Sequence, residues 1–352
     1  MKHVTSAALL SLGFASVPCM AFPSAAQELA GYDRFDVTAS HRSMPLSASI
    51  WYPAGTYIYR APVTKSAIWQ STDAYIGAAI APGKHPLILL SHGSGGNMDA
   101  LGWLSSQLAL RGAMVLAVNH PGTTSGDSSP RRTIHLAPRA ADITALLDQV
   151  LADPDFAPYI DRDRISTVGF SLGGTTVLNL AGVRFDGDLY RDFCKTHGDV
   201  MQDCAFLKRG GVDFDFDHLS DDIAVDAKDS RISRFVAIEP GMTYAVDDSS
   251  LKNTDQDLLF IRLGKEHGWP AADLEATGSN LLGKLDHPAY AVFAPANHLT
   301  FLAECVPGAA ELLARMDDDP VCSDPAGTDR GHIHQQIIDE ISGFLDLGMS
   351  PS

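Results

Sequence analysis

Gly169-Phe170-Ser171-Leu172-Gly173 lies between two stretches of opposite character. Upstream, Arg164-Ile165-Ser166-Thr167-Val168 alternates and carries β-branched residues, the pattern of a strand. Downstream, Gly174-Thr175-Thr176-Val177-Leu178-Asn179-Leu180-Ala181 reads as a buried helix. A G-x-S-x-G stretch at such a handover is a nucleophile elbow. The tight, strained turn lifts a serine hydroxyl clear of the sheet, and the flanking glycines let neighbouring backbone approach closely. The five-residue pattern alone arises often by chance; its flanks carry the assignment.

Working outward, strand and helix signals alternate. Leu87-Ile88-Leu89-Leu90 is a short apolar run suited to a strand buried on both faces, Leu101 to Arg111 reads as a helix ended by Gly112, and Met114 to Val118 is the next strand. A loop rich in Gly, Thr and Ser runs from Pro121 to Pro130, and Arg139 to Leu151 has helical spacing of Ile143, Leu146, Leu147 and Val150. After the elbow come three strand candidates, Phe235 to Ile238, Leu258 to Ile261 and Tyr290 to Phe293, and Ile333 to Leu347 closes the chain as an amphipathic helix. Near the start, Phe35 to Thr38 and Ala48 to Tyr52 suggest an antiparallel opening, followed by an irregular surface excursion from Pro53 to Pro86. This order predicts an α/β fold with a mostly parallel central sheet and helices on both faces. Residues 184–231 break the rhythm with two cysteines and the aromatics Phe185, Tyr190, Phe193, Phe206, Phe214 and Phe216. They read either as a stapled surface insertion or as a small cap supplying apolar walls.

The 352 residues, 45% hydrophobic and 20% charged, fit one large domain. Lys2 and His3, the apolar run Ala7 to Val17, and small residues at Cys19-Met20-Ala21 and Ser24-Ala25-Ala26 form the pattern of a secretory signal peptide, residues 1–26. Cleavage is expected near Ala26, with Ala21 second, and Pro18 before Cys19 argues against lipidation. The apolar core is too short to span a bilayer. The expectation is therefore a secreted or periplasmic domain, residues 27–352, with no stable membrane anchor. Cleavage leaves Cys194, Cys204, Cys305 and Cys322, an even number that suggests disulfides in an exported protein. Of the three possible pairings, the sequence-local one joins Cys194 to Cys204 and Cys305 to Cys322. No C-x-x-C spacing occurs, and the acidic runs Asp213 to Asp217 and Asp317 to Asp319 lack the ligand spacing of an EF-hand, so no metal is expected. A formal charge of −17 argues against nucleic-acid or anionic-membrane partners and fits a solvated acidic surface.

A serine hydroxyl needs a general base within hydrogen-bond reach, oriented in turn by a carboxylate. His298 follows the last strand candidate and is the expected base for Ser171, whereas His287 precedes that strand and lies at its wrong end. His332 and His334, at a helix start, read as surface residues. Glu239 directly ends the strand Phe235 to Ile238, ahead of Pro240-Gly241, and is the preferred acid; Glu266, beyond the next strand, is the alternative and Asp273 a third. The oxyanion donors expected are the amide of Leu172 and one from Ser91-His92-Gly93-Ser94-Gly95-Gly96, with Ser94 preferred to Gly93. His92 reads as a residue that braces this loop. Such chemistry requires no metal or organic cofactor.

His85 to Gly96, the helix ending Leu110-Arg111-Gly112, and Val115 to Gly122 resemble α/β-hydrolases related to platelet-activating-factor acetylhydrolase, whose bacterial members are often labelled dienelactone-hydrolase-like. The resemblance runs from about Gly31 to the C-terminal helix and covers the 184–231 insertion least. It implies an α/β-hydrolase fold and a serine esterase acting through an acyl-enzyme on a small-molecule or lipid-like ester. It also implies an acid after the strand that follows the elbow helix, matched here by Ala237-Ile238-Glu239-Pro240 with Glu in place of the family's Asp, which keeps Glu266 in contention. The second oxyanion donor it implies falls on Ser94. Dienelactone hydrolases use a cysteine nucleophile, so that label does not transfer as an activity to a chain with Ser171. The rival expectations are a serine peptidase or acyltransferase with the same residues, and a non-catalytic binding protein on the same fold.

Overall fold

The computed structural model describes residues 29–348 apart from 199, 216–218, 220, 255 and 256. The expected signal peptide and Phe216 lie outside the described residues. The strands are β1 (Gly31–Val37), β2 (Leu46–Tyr52), β3 (Arg60–Pro62), β4 (Asp73–Ile76), β5 (His85–Ser91), β6 (Met114–Val118), β7 (Ile160–Phe170), β8 (Arg234–Ile238), β9 (Asp257–Leu263) and β10 (Ala289–Phe293). They form one sheet in the order β10-β9-β8-β7-β5-β6-β2-β1-β4-β3. From β10 through β6 every neighbouring pair is parallel, while β2 runs antiparallel to both β6 and β1. This is the α/β-hydrolase fold.

The helices are α1 (Gly102–Leu110), α2 (Pro130–Thr133), α3 (Ala137–Ala152), α4 (Leu172–Leu180), α5 (Gly187–His197), α6 (Gln202–Arg209), α7 (Leu281–Lys284), α8 (Ala309–Met316) and α9 (Arg330–Phe344). Side chains of β5 alternate between the two sheet faces, and each face carries its own core. Leu87 and Leu89 pack with Ile143, Leu146 and Leu147 of α3 and Val177 and Leu178 of α4. Ile88 and Leu90 pack with Leu104 and Leu108 of α1 and Ile333, Ile337 and Ile341 of α9. A strand covered on both faces has no polar face to present, which is why β5, β6 and β8 read as unbroken apolar runs.

The excursion from 53 to 86 is more ordered than its composition suggests. β4 pairs with β1 and β3 with β4, extending the sheet. Strands of three and four residues are too short to announce themselves by alternation. The 184–231 insertion contains α5 and α6; Asp186 caps α5 by accepting from the Asp188 and Leu189 amides. The Cys194 and Cys204 sulfurs that join these helices are 2.02 Å apart, and those of Cys305 and Cys322 are 1.98 Å apart.

Candidate active site

The elbow joins β7 to α4 with little space to spare. A Cβ at Gly169 would run into the Gly173 carbonyl, and one at Gly173 into the Ser91 carbonyl of β5. Glycine at both positions lets α4 pack directly on the sheet. Ser171, between them, holds φ 55° and ψ −121°, a left-handed region that costs a side-chain-bearing residue roughly 1–3 kcal/mol. Its amide donates to the Ile238 carbonyl at 2.9 Å, so the elbow is tied to the end of β8. The loop after β5 passes close by, since a Cβ on Gly93 would lie 3.2 Å from that of Ser171. Leu172 opens α4, where its amide is one of the donors that a helix leaves without an internal partner. The Ser94 hydroxyl is 3.1 Å from that of Thr133 on α2.

One residue beyond Ile238, the chain turns through Glu239 at φ 47°. Its side chain is buried and fully engaged. Oε1 accepts from the Leu263 amide at 2.8 Å, and Oε2 lies 3.0 Å from Nδ1 of His298. His298 enters from the loop after β10, at the start of a short 3₁₀ turn (His298–Phe301) whose N-terminus is closed by a capping box of Asn297 and Thr300. Its imidazole packs against two rings: Trp269 stacks on it at 4.0 Å and 13°, and Phe170, next to Ser171, lies 4.6 Å away. With Nδ1 facing a carboxylate, the proton resides there and Nε2 is left as the basic nitrogen.

The remaining candidates lie elsewhere. Glu266 is exposed. Asp273 is occupied by Arg262 at 2.7 Å and the Thr277 hydroxyl at 2.8 Å. His287 is 98% exposed, and His332 is exposed on α9. His334 departs from its expected surface position. The first turn of α9 faces α1, so its ring stacks on Trp103 at 3.7 Å, its Nε2 lies 2.9 Å from the Thr300 carbonyl, and burial pushes it down to about 4.

Beneath the Ser91–Gly96 loop is a buried polar network absent from the sequence reading. Nδ1 of His120 donates to Asp142 at 2.9 Å, and its Nε2 accepts from the Ser91 hydroxyl at 3.1 Å. Asp142 also receives Arg42 in a two-pronged pair at 2.8 and 2.7 Å. Burial, reinforced by Arg139, pushes His120 down to about 4. Burial acts against the Asp142 charge too, but the hydrogen bonds from His120 and Arg42 outweigh it and hold that carboxylate at about 2. His92 is kept neutral by burial, well below the ordinary histidine range, and Nδ1 donates to the Gly93 carbonyl at 2.7 Å. It braces the loop from within. Arg139 and Asp142 share the α3 face that carries Ile143 and Leu146, and charges on an apolar helical stripe were the available signal.

α6 packs against α2 on the side of Ser94 and against the Pro270–Ala272 turn that follows Trp269. α5 packs on the Thr243–Ala245 turn, with Phe193 stacked on Tyr244 at 4.2 Å, and the Tyr190 hydroxyl joins the helices by donating to Asp203 at 2.8 Å. Among the described residues no group of three or more His, Cys, Asp or Glu side chains is arranged to hold a metal ion, and no helix is long and apolar enough to cross a membrane.

Fold and elbow together define an α/β-hydrolase. A sequence profile described as the Alpha/beta hydrolase family matches residues 87–341, and the chain belongs to that family. Cutinase est2 of Thermobifida alba is 32% identical over 101 residues, a match that spans 28% of this chain and 31% of the cutinase. A ferulic acid esterase from Streptomyces cinnamoneus superposes over 92% of this chain and 90% of its own, with TM-score 0.55 and 16% identity, a likeness of fold. A dienelactone hydrolase from Anabaena variabilis aligns over 82% of this chain and 95% of its own with TM-score 0.44 and 14% identity.

Proposed function

We propose that this chain is an exported serine esterase that cleaves small-molecule or lipid-like carboxylic esters. The observation that carries the reading is the buried Glu239–His298 hydrogen bond, 3.0 Å long, whose imidazole packs on the residue adjoining Ser171. The Ser171 hydroxyl attacks the ester carbonyl while Nε2 of His298 takes its proton. Glu239 keeps the other proton on Nδ1 and stabilises the imidazolium that forms. The amides of Leu172 and Ser94 receive the tetrahedral oxyanion, the first of them at the positive end of α4. Collapse breaks the ester C–O bond, and the imidazolium protonates the departing alcohol. Water, deprotonated by the same imidazole, then releases the acid from the acyl-enzyme. The 184–231 insertion acts as a cap, with Phe193, Tyr244 and Trp269 supplying aromatic surface on the histidine side. The N-terminal pattern of residues 1–26 and the two cysteine pairs support export.

A fluorophosphonate probe tests the nucleophile. Wild-type protein is expected to be labelled and the Ser171→Ala variant to be silent; equal labelling of both removes Ser171 from the mechanism. A panel of p-nitrophenyl esters of graded acyl length, with a peptide p-nitroanilide beside it, identifies the substrate class. Release of nitroaniline at rates matching the esters would replace the esterase with a peptidase.

A further inference from the structure

Arg139 is 1% exposed, and a buried cation is weak support for stability because the desolvation it suffers rivals what its partners return. Its hydrogen bonds go to neutral oxygens. Nε donates to the Thr176 hydroxyl at 3.0 Å, Nη1 to the Thr123 hydroxyl at 2.5 Å, and Nη2 to the Ser91 hydroxyl at 3.1 Å and to the His92 carbonyl. Asp142 acts on it as a counter-charge through space, and burial brings the guanidinium down to about 9, still cationic at neutral pH.

What these contacts hold is specific. The Thr176 hydroxyl that accepts from Arg139 itself donates to the Leu172 carbonyl at 3.0 Å. The Thr123 carbonyl accepts the Gly95 amide at 2.8 Å, and His92 stands two residues before Ser94. One planar fork therefore fastens both elements that carry the oxyanion donors: the first turn of α4 and the loop after β5. Neither element hydrogen-bonds the other through its donor residues. Their backbones lie close at Gly93–Ser171 and at Gly173–Ser91, and Arg139 ties both from beneath by side-chain hydrogen bonds.

Resting on the esterase reading above, we propose that Arg139 is a positioning residue that fixes the distance between the Leu172 and Ser94 amides, and hence the fit of the oxyanion hole to the transition state. Donors misplaced by a fraction of an ångström lose transition-state stabilisation while ground-state binding changes little. Lysine keeps the charge but lacks the fork needed to reach four oxygens.

The experiment compares wild type with Arg139→Met, Arg139→Lys and Thr176→Val. It measures kcat and KM on p-nitrophenyl acetate and the inhibition constant of an alkyl trifluoromethyl ketone, whose hemiketal mimics the tetrahedral oxyanion. For Arg139→Met, kcat is expected to fall roughly 10- to 100-fold, with KM within about twofold and the ketone weakened by a factor matching the loss in kcat/KM. Arg139→Lys should fall between that variant and wild type. Thr176→Val removes both the acceptor of Nε and the donor to the Leu172 carbonyl, leaves the guanidinium in place, and should show the same pattern at roughly three- to tenfold. It carries the test if the Arg139 variants do not fold. Variants that lower Tm but leave ketone affinity unchanged overturn the positioning role and leave the esterase standing. A wild-type protein that neither turns over the ester nor takes the fluorophosphonate overturns both readings.

Discussion

Glu239 shows how a single backbone angle prepares a site. At φ 47° the chain leaves β8 in a conformation that side-chain-bearing residues avoid, and Glu239 meets His298 from there, with one carboxylate oxygen on the imidazole and the other on the Leu263 amide. A Glu239→Gln variant keeps the size and can keep the Leu263 bond. The amide NH₂ then faces Nδ1, which must become an acceptor, and the proton moves to Nε2, where it blocks base catalysis. The expected outcome is a fall in kcat of roughly a thousandfold or more, with Glu266→Gln near wild type, measured by steady-state hydrolysis of a short-chain ester. A reversed order would transfer the acid to Glu266. The aromatic packing around His298 belongs to the same scale: Trp269 and Phe170 restrict the ring that Glu239 orients.

At the level of elements, two parts do different work. α4 presents its N-terminal amides beside Ser171, an arrangement that favours developing negative charge. The α5–α6 pair is held by Cys194–Cys204, closing a separation of ten residues, and by the Tyr190–Asp203 hydrogen bond. Loop-closure entropy assigns such a crosslink about 3 kcal/mol. Replacing both cysteines by alanine is expected to loosen the insertion ahead of the sheet. Limited proteolysis followed by mass spectrometry should find the first cuts within 187–209 in the variant and not in wild type. Cleavage appearing first in the β5–β7 region would show that the crosslink supports the main core instead.

Across the whole molecule, acid stability follows from histidines buried in their neutral form. His120 and His334 are held at about 4 against an ordinary 6.5. Unfolded chain therefore binds more protons than folded chain between those values, and stability declines as pH falls from 6.5 toward 4. Asp142 extends the loss: its folded value of about 2 against 3.8 removes stability as pH drops below 3.8. The melting temperature is expected to hold near neutrality and to descend steadily below pH 6.5 in scanning calorimetry. A flat profile down to pH 4 would mean that these histidines gain access to water. Between pH 6.5 and the isoelectric point near 5.0 the net negative charge shrinks, so general repulsion changes in the opposite sense and the decline over that interval reports the histidines.

Local pattern determined much of this chain. Apolar runs of period one mark the doubly covered strands, 3.6-residue spacing marks α3 and α9, and the flanks of Ser171 mark the elbow, because each depends on residues a few positions apart. Short elements escaped it: β3, β4 and the four residues of α2 hold too few positions for a period to register. Tertiary structure decided what is joined across the chain. Glu239 and Glu266 both follow strands, and the carboxylate that meets His298, 59 residues further on, is selected by the order β8-β9-β10 and the turn at Glu239. The Arg139 network likewise gathers residues from β5, the loop after β6, α3 and α4. Such meetings are settled by non-local strand pairing and the packing of two faces, and no window of sequence contains the distances that result.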